Sequence, residues 1–392
     1  MDRVQHIGDV AEIMLDYVTN KKTFMTDKPL KVPTSSYTDK DQFNAEMELI
    51  FKRVPLMLAF TAEIPQLGDY KAMDVMGVPV LINRDKQGKV RAFLNVCSHR
   101  SAPVAEQGRG NCSRFTCKYH AWTYGADGRL IGISEASTFG DVDKSRMGLR
   151  ELPCEERAGM IFVCLTPNAP MDLGTYFRGL LEDFEALDFA NWTYLGNRNI
   201  EGANWKVAFD GYLEGYHFQS LHPDTIFPRT PSNTMHFEGF GPNFRIGFPQ
   251  HAIAEELKDV PREKWGEREN HGYDFVRIFF PNVAIFIAPE ITQIAQLFPG
   301  PTPDRNVTVL NYLRREPIRD DEDREKVEAA MNFFRDVTYQ EDYVLGLKIQ
   351  QGLESGAHES IVFGKNERGN QYFHEYVEWY MRNDPRAPRP VL

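Results

Sequence analysis

Residues 3–19 and 42–53 set apolar side chains three and four positions apart, the period of an amphipathic helix. From about 70 to 165 the pattern changes to short apolar runs punctuated by turn residues, as short strands require. Arg91-Ala-Phe-Leu-Asn-Val96 reads as one strand. Ala121–Tyr124 and Arg129–Ile133 flank Gly125-Ala-Asp-Gly128, a sequence suited to a hairpin connection. Met160–Leu165 reads as a buried strand, with Pro167 just after it. Residues 55–166 are therefore expected to form a small all-β module.

Beyond that module the periods alternate. Gly174–Asp188 and Asn204–Leu221 have helical spacing, and strand-like runs recur at 235–248, 273–280, 283–288, 290–298 and 306–314. A long charged helix is expected from near Asp320 to about Gly352. This order predicts an α+β domain over 167–392 built on an antiparallel sheet, with residues 1–54 supplying helices that pack on it. The segment from Asp384 to Pro390, rich in Pro and Arg, reads as an extended arm.

Composition narrows the class. With 45 Lys+Arg against 56 Asp+Glu the chain carries −11, which disfavours nucleic acid as a partner. No apolar run approaches the roughly 20 residues of a membrane span, and the start lacks a signal-peptide pattern. A cytoplasmic protein is expected. Five cysteines, an odd and low number, argue against a disulfide framework.

Two of those cysteines stand beside histidines, as Cys97-Ser98-His99 and Cys117-Lys118-Tyr119-His120, with 17 residues between His99 and Cys117. Two thiolates and two imidazoles can hold a tetrahedral zinc or a [2Fe–2S] cluster with two histidines on one iron. Each loop carries Cys and then His, so neither loop alone supplies both sulfurs. That arrangement favours the cluster; a zinc protein would be colourless. Cys112 falls outside the pattern, and Cys154 and Cys164 read as small packed hydrophobes.

A second group of candidate ligands lies about 100 residues on. Glu214, His217 and His222 precede Pro223, and an acidic pair, Glu341-Asp342, stands on the charged helix. Glu214 and His217 are placed to share a helical face. His217 and His222 are five apart and converge only if the helix is distorted or ends between them, which Pro223 favours.

C-x-H-x17-C-x2-H followed by Ala-Trp-Thr-Tyr resembles the Rieske motif of aromatic-ring-hydroxylating oxygenases, with Lys118 and Ala121 where that family usually has Pro and Gly. The Glu214-to-His222 segment resembles the family's E/D-x-Y-H-x4-H motif. Glu341-Asp342 with Gln350, Gly352 and Leu353 resembles its E-D-x7-Q-x-G-L pattern. The resemblance runs from about residue 50 to the Asn366-Glu367 region. It implies a catalytic α-type component: a Rieske domain over 55–166 before a helix-grip catalytic domain, in a head-to-tail homotrimer. The length suits rings with and without a small β subunit.

The same resemblance implies that Cys97, His99, Cys117 and His120 hold the [2Fe–2S] cluster. It implies that His217, His222 and Asp342 hold a mononuclear Fe(II), with Glu341 as the fallback third ligand. It makes Glu214 a bridge from His217 to a cluster histidine, His120, of the neighbouring subunit, with Asp210 as its competitor. Neither centre suffices alone: the cluster stores one electron, and the triad leaves positions free for dioxygen. The chain has no Gly-rich dinucleotide fingerprint, so electrons from NAD(P)H are expected through a separate reductase, with or without a ferredoxin. The reaction expected is mono- or dioxygenation of an aromatic or other hydrophobic small molecule, with quaternary amines and steroids as alternatives. A non-catalytic electron carrier is the rival reading. Phe227, Phe237, Phe240, Phe244 and Phe248, with Ile278, Phe280 and Phe286, are the expected pocket wall, and Arg245 or His236 the candidates for meeting an anionic group.

Overall fold

The computed structural model describes residues 2–384 and 386–390, and divides into two compact units. One comprises residues 51–173 and 184–194, the other residues 1–50, 174–183 and 195–392. Among the described residues no helix is long and apolar enough to cross a membrane.

The first unit is β-rich. A five-stranded antiparallel sheet runs Glu151–Leu152, Val90–Leu94, Val78–Arg84, Asp69–Val75, Gly108–Asn111. Two three-stranded sheets accompany it, one of them containing the expected hairpin as Thr123–Gly125 and Leu130–Gly132. Cys97, Cys117, Trp122 and Tyr124 are buried in one cluster with Leu81, Phe93 and Phe115, so the Cys/His loops are anchored in the apolar core.

The second unit is built on a seven-stranded antiparallel sheet. Its strands lie in the order Thr193–Gly202, Asn306–Arg314, Thr292–Pro299, Val283–Ile287, Tyr273–Phe279, Asn243–Pro249, His236–Phe240. The first of these, and the helix Arg368–Met381, carry no expectation from the sequence. The helix Arg3–Asn20 buries Ile7, Val10, Ala11 and Met14 against Ile253, Leu257, Tyr273 and Phe275, as its three- and four-residue spacing predicts. Gly369 lets the helix Arg368–Met381 approach the segment that carries the site: a Cβ there would lie 2.2 Å from the Leu213 carbonyl oxygen.

Three helical expectations need correction. Gly174–Asp188 is two short helices, Leu173–Phe177 and Leu180–Leu187, broken where Arg178 takes a φ of +48°. The helix over 204–221 breaks at Glu214, whose backbone is extended, so Glu214 and His217 do not share a helical face. The charged helix near the end is Asp321–Asp336 and Val344–Glu354, joined by a wider π-helical stretch, Val337–Tyr343. The arm is not fully extended: its Ala387 carbonyl accepts from Trp379 Nε1 at 3.1 Å, and Pro385 lies outside the described residues.

Asp183 gathers three guanidinium groups in the second unit. It accepts from Arg3 Nε at 2.6 Å, Arg277 Nε at 2.6 Å and Arg245 Nη1 at 3.3 Å. Glu269 takes two further bonds from Arg277 and Glu238 two from Arg245, so every nitrogen of both buried guanidiniums donates to a carboxylate. Burial raises the Asp183 pKa, and the three arginines overcome that, holding the carboxyl well below the usual range. Asp183→Ala removes the carboxylate that two buried guanidiniums share, leaving each with one partner, and the unfolding free energy in urea should fall by about 3 kcal/mol. A depressed carboxyl stabilises the fold above its unfolded pKa and stops doing so as pH falls, so the deficit should narrow only in strong acid.

Candidate functional site: two clusters of metal-ligating side chains

The two Cys/His loops of the β-rich unit repeat one backbone device. Cys97 N–H donates to the Ala102 carbonyl at 2.8 Å and Ser101 N–H to the Cys97 carbonyl at 2.9 Å. Cys117 N–H donates to the Trp122 carbonyl and Ala121 N–H to the Cys117 carbonyl, both at 2.9 Å. Each loop turns on a residue at positive φ, Ser101 at +61° and Ala121 at +56°. That conformation explains why glycine suits position 121, where alanine's Cβ is strained. The Lys118 departure is exposed and pairs with Glu106.

The loops bring the imidazoles of His99 and His120 to a centroid separation of 4.6 Å, with His99 stacked on Trp122. None of the five cysteines is in a disulfide, and Cys97 and Cys117 are buried. His99 Nδ1 is buried without a hydrogen-bond partner. A buried lone pair with no donor, beside buried thiols, fits a metal cluster. Tyr124 was missed from the sequence. Its hydroxyl accepts from Ser98 N–H at 2.9 Å and sits 3.2 Å from Cys97 Sγ, placed to donate to a thiolate there. The signal was available, because Tyr124 follows Cys117 on the adjoining hairpin strand. Burial drives the thiols of Cys154 and Cys164 up to about 12, consistent with inert packing.

In the second unit the donor atoms of His217, His222 and Asp342 lie within 4.8 Å of one another. His217 and His222 flank a single helical turn, Phe218–Leu221, which ends at His222 before Pro223. The expected convergence is thus met by a helix end. Asp342 comes from the π-helical stretch, whose widened turn alters the direction in which its side chains leave the axis. His222 Nε2 is 3.1 Å and His217 Nε2 3.6 Å from Asp342 Oδ1.

The opposite ring nitrogens face other carboxylates: His217 Nδ1 meets Glu214 Oε1, and His222 Nδ1 meets Glu341 Oε2. Thr225 Oγ1 donates to the same Glu341 oxygen at 2.8 Å. Glu341, the fallback ligand, therefore stands behind His222 and not between the histidines. With Nδ1–H given to a carboxylate, a neutral imidazole presents only a lone pair at Nε2, here toward Asp342. Such acceptors at this range require a cation or proton between them. Donor atoms bound at about 2.1 Å and right angles sit roughly 3 Å apart, so the set fits a divalent metal. Burial lowers the His222 pKa, but the bonds and charges of Asp342 and Glu341 outweigh it and raise it. Asp210 is engaged elsewhere, by Tyr37 Oη at 2.8 Å and His374 Nε2 at 2.9 Å.

A cavity of about 310 Å³ opens on these side chains. Phe218, Phe248, Phe286, Phe333 and Phe334 line it, with Arg229, Asp274 and Gln293. Of the expected wall only Phe248 and Phe286 take part. Phe237 and Phe244 instead pack on Tyr372, 5.1 and 5.7 Å between centroids, because their strand positions face the Arg368–Met381 helix. Arg245 is spent on Asp183 and Glu238, and His236 lies between Tyr17 and Phe24.

Two family models match this chain. Residues 54–148 match the Rieske [2Fe-2S] domain, and residues 189–383 match the ring hydroxylating alpha subunit (catalytic domain). The chain belongs to the Rieske non-heme iron oxygenase α subunits. Its cofactor types are therefore a Rieske [2Fe–2S] cluster and a non-heme iron. The carnitine monooxygenase oxygenase subunit of Escherichia coli K12 is 26% identical over 365 residues, 88% of this chain and 92% of that one. The glycine betaine monooxygenase oxygenase subunit of Pseudomonas aeruginosa is 31% identical over 201 residues, 51% of this chain and 46% of that one. This chain thus spans about half the length of that relative. Naphthalene 1,2-dioxygenase from Rhodococcus sp. shares the fold, with a TM-score of 0.74 at 18% identity, covering 99% of this chain and 100% of that one.

Two outcomes are expected. Asp342→Ala should lower iron from about three to two per chain by metal analysis, leaving the visible spectrum of the cluster intact. Ala121→Gly should relieve the strained φ and raise stability by about 0.5–1 kcal/mol, read from loss of cluster absorbance in denaturant.

Proposed function

We propose that this chain is the terminal component of an oxygenase system that uses dioxygen and reductase-supplied electrons to hydroxylate a small hydrophobic molecule. In this reading Cys97, His99, Cys117 and His120 hold the [2Fe–2S] cluster, and His217, His222 and Asp342 hold the mononuclear Fe(II). The observation that carries it is the paired orientation of the imidazoles: each Nδ1 is tied to a carboxylate, and each Nε2 is aimed at Asp342 beside a cavity. The cluster supplies single electrons and the ferrous ion supplies open positions for dioxygen.

The protein's own residues do the rest. Glu214 and Glu341 fix the tautomers of His217 and His222 and raise their basicity as ligands. Glu214 also accepts the Tyr216 N–H and, at 3.2 Å, the His217 N–H, so its carboxylate is oriented from two sides. It lines a second cavity, of about 240 Å³, whose wall includes the exposed Leu345 and Ile349. That approach from the surface suits a Glu214 that reaches His120 of the partner subunit in a homotrimer. NAD(P)H is oxidised by a separate reductase, directly or through a ferredoxin.

The phenyl-lined cavity supports an aromatic or other hydrophobic substrate. A quaternary amine, as acted on by the named carnitine and glycine betaine relatives, is the second reading. It is favoured by the placement of a buried carboxylate, Asp274, on the cavity wall beside Phe248, where an acidic group and an aromatic face together suit a quaternary ammonium ion.

Oxygen uptake with a surrogate reductase, followed by product analysis, tests the assignment. Glu214→Gln should leave cluster and iron loaded while slowing single-turnover cluster oxidation at least about tenfold, checked by rapid-mixing absorbance. Unchanged rates remove the bridging role.

A further inference from the structure

The polar groups that line the 310 Å³ cavity are not equally engaged. Arg229 Nη2 donates to Asp274 Oδ1 at 3.1 Å and to the Asn270 carbonyl at 3.2 Å. Gln250 Nε2 donates to Asp274 Oδ2 at 3.0 Å. Those groups satisfy one another. Gln293 differs: the residue is 7% exposed, and its Nε2 is buried with no hydrogen-bond partner.

Its surroundings are apolar. Gln293 pairs across the sheet with Phe286, which pairs in turn with Val276, and all three line the cavity. The Phe286 ring lies 5.9 Å from that of Phe334. A buried amide donor without an acceptor is a standing penalty in the empty protein, and a ligand oxygen that meets it removes that penalty. Such a site discriminates strongly against a ligand in which the oxygen is replaced by methylene.

We propose that Gln293 is a specificity residue of this cavity, donating Nε2–H to a neutral carbonyl oxygen on a ring-bearing substrate stacked against Phe286. The inference rests on the oxygenase reading only in identifying the cavity as the substrate's. Two observations select a neutral acceptor over a carboxylate. The one guanidinium lining the cavity, Arg229, is already paired with Asp274. A carboxylate beside Phe286 and Phe334 would be buried without a counter-ion, at a desolvation cost a single carboxamide does not offset.

The experiment compares 1-indanone with indane, which replaces the carbonyl by methylene, and with indane-1-carboxylate. Binding is measured by calorimetry on the oxidised, cluster- and iron-loaded protein without reductase, so the result does not depend on turnover. The ketone should bind at least about tenfold more tightly than either of the others. Gln293→Leu and Gln293→Met should erase that preference by weakening the ketone alone, with cluster absorbance unchanged as the check on folding. Equal affinity for ketone and hydrocarbon, binding of neither, or a preference that survives both substitutions overturns the proposal. Oxygen uptake on these probes with a surrogate reductase tests the oxygenase reading separately.

Discussion

Three side chains that present lone pairs are held within one small volume, and nothing in the protein separates them. His222 Nε2 and Asp342 Oδ1 face each other at 3.1 Å while the far side of each imidazole is committed to a glutamate. Without a cation, this geometry sets a carboxylate against imidazole lone pairs in a half-buried site, where little water screens them. A divalent ion would turn the same arrangement into a bonded shell. The backbone around it reads as the means of enforcing that convergence. A one-turn helix sets the spacing of the histidines, a π-helical stretch delivers Asp342, and an extended residue turns Glu214 back onto His217.

The classes of the main elements were legible in the sequence because period carries them directly, and the candidate ligands stand out because Cys, His and Asp are metal-donor residue types. Cys97, His99, Cys117 and His120 stand as one Cys-then-His pair per loop, and the strands over 235–314 follow their apolar runs. What was not legible depends on which way a side chain leaves the backbone. Nothing in the residues Val337–Tyr343 marks a wider helical turn, since the i→i+5 bonds depend on tertiary packing. The break at Glu214 was hidden because its neighbours have helical spacing. The cavity wall is narrower than five phenylalanines in one span suggest: Phe237, Phe244 and Phe248 share a sheet face, but at one end of it Phe237 and Phe244 meet Tyr372 and only Phe248, farther along the strand, reaches the cavity.

The two Cys/His loops make a related point about substitution. Positive φ at Ser101 and Ala121 follows from the repeated hydrogen-bond pattern, four residues after each cysteine. Departure from the usual residues at 118 and 121 therefore leaves the loop geometry in place. Lys118 is exposed and costs nothing there, and Ala121 tolerates a strained conformation because the surrounding bonds over-determine it.

The strand Tyr273–Phe279 joins the stability of the second unit to its chemistry. Alternation places Asp274 and Val276 toward the cavity, while Tyr273 and Phe275 pack on the helix Arg3–Asn20 and Arg277 enters the Asp183 cluster. A slip of one residue would exchange these faces, burying Asp274 against the helix and opening Arg277 to the cavity. The bidentate bonds of Arg277 to Glu269 and its bond to Asp183 lock the register against that slip. Neighbouring strands then inherit it through the ladder, so Phe286 and Gln293 face the cavity because Val276 does. The buried charges on one face of the sheet thus determine which side chains a substrate meets on the other.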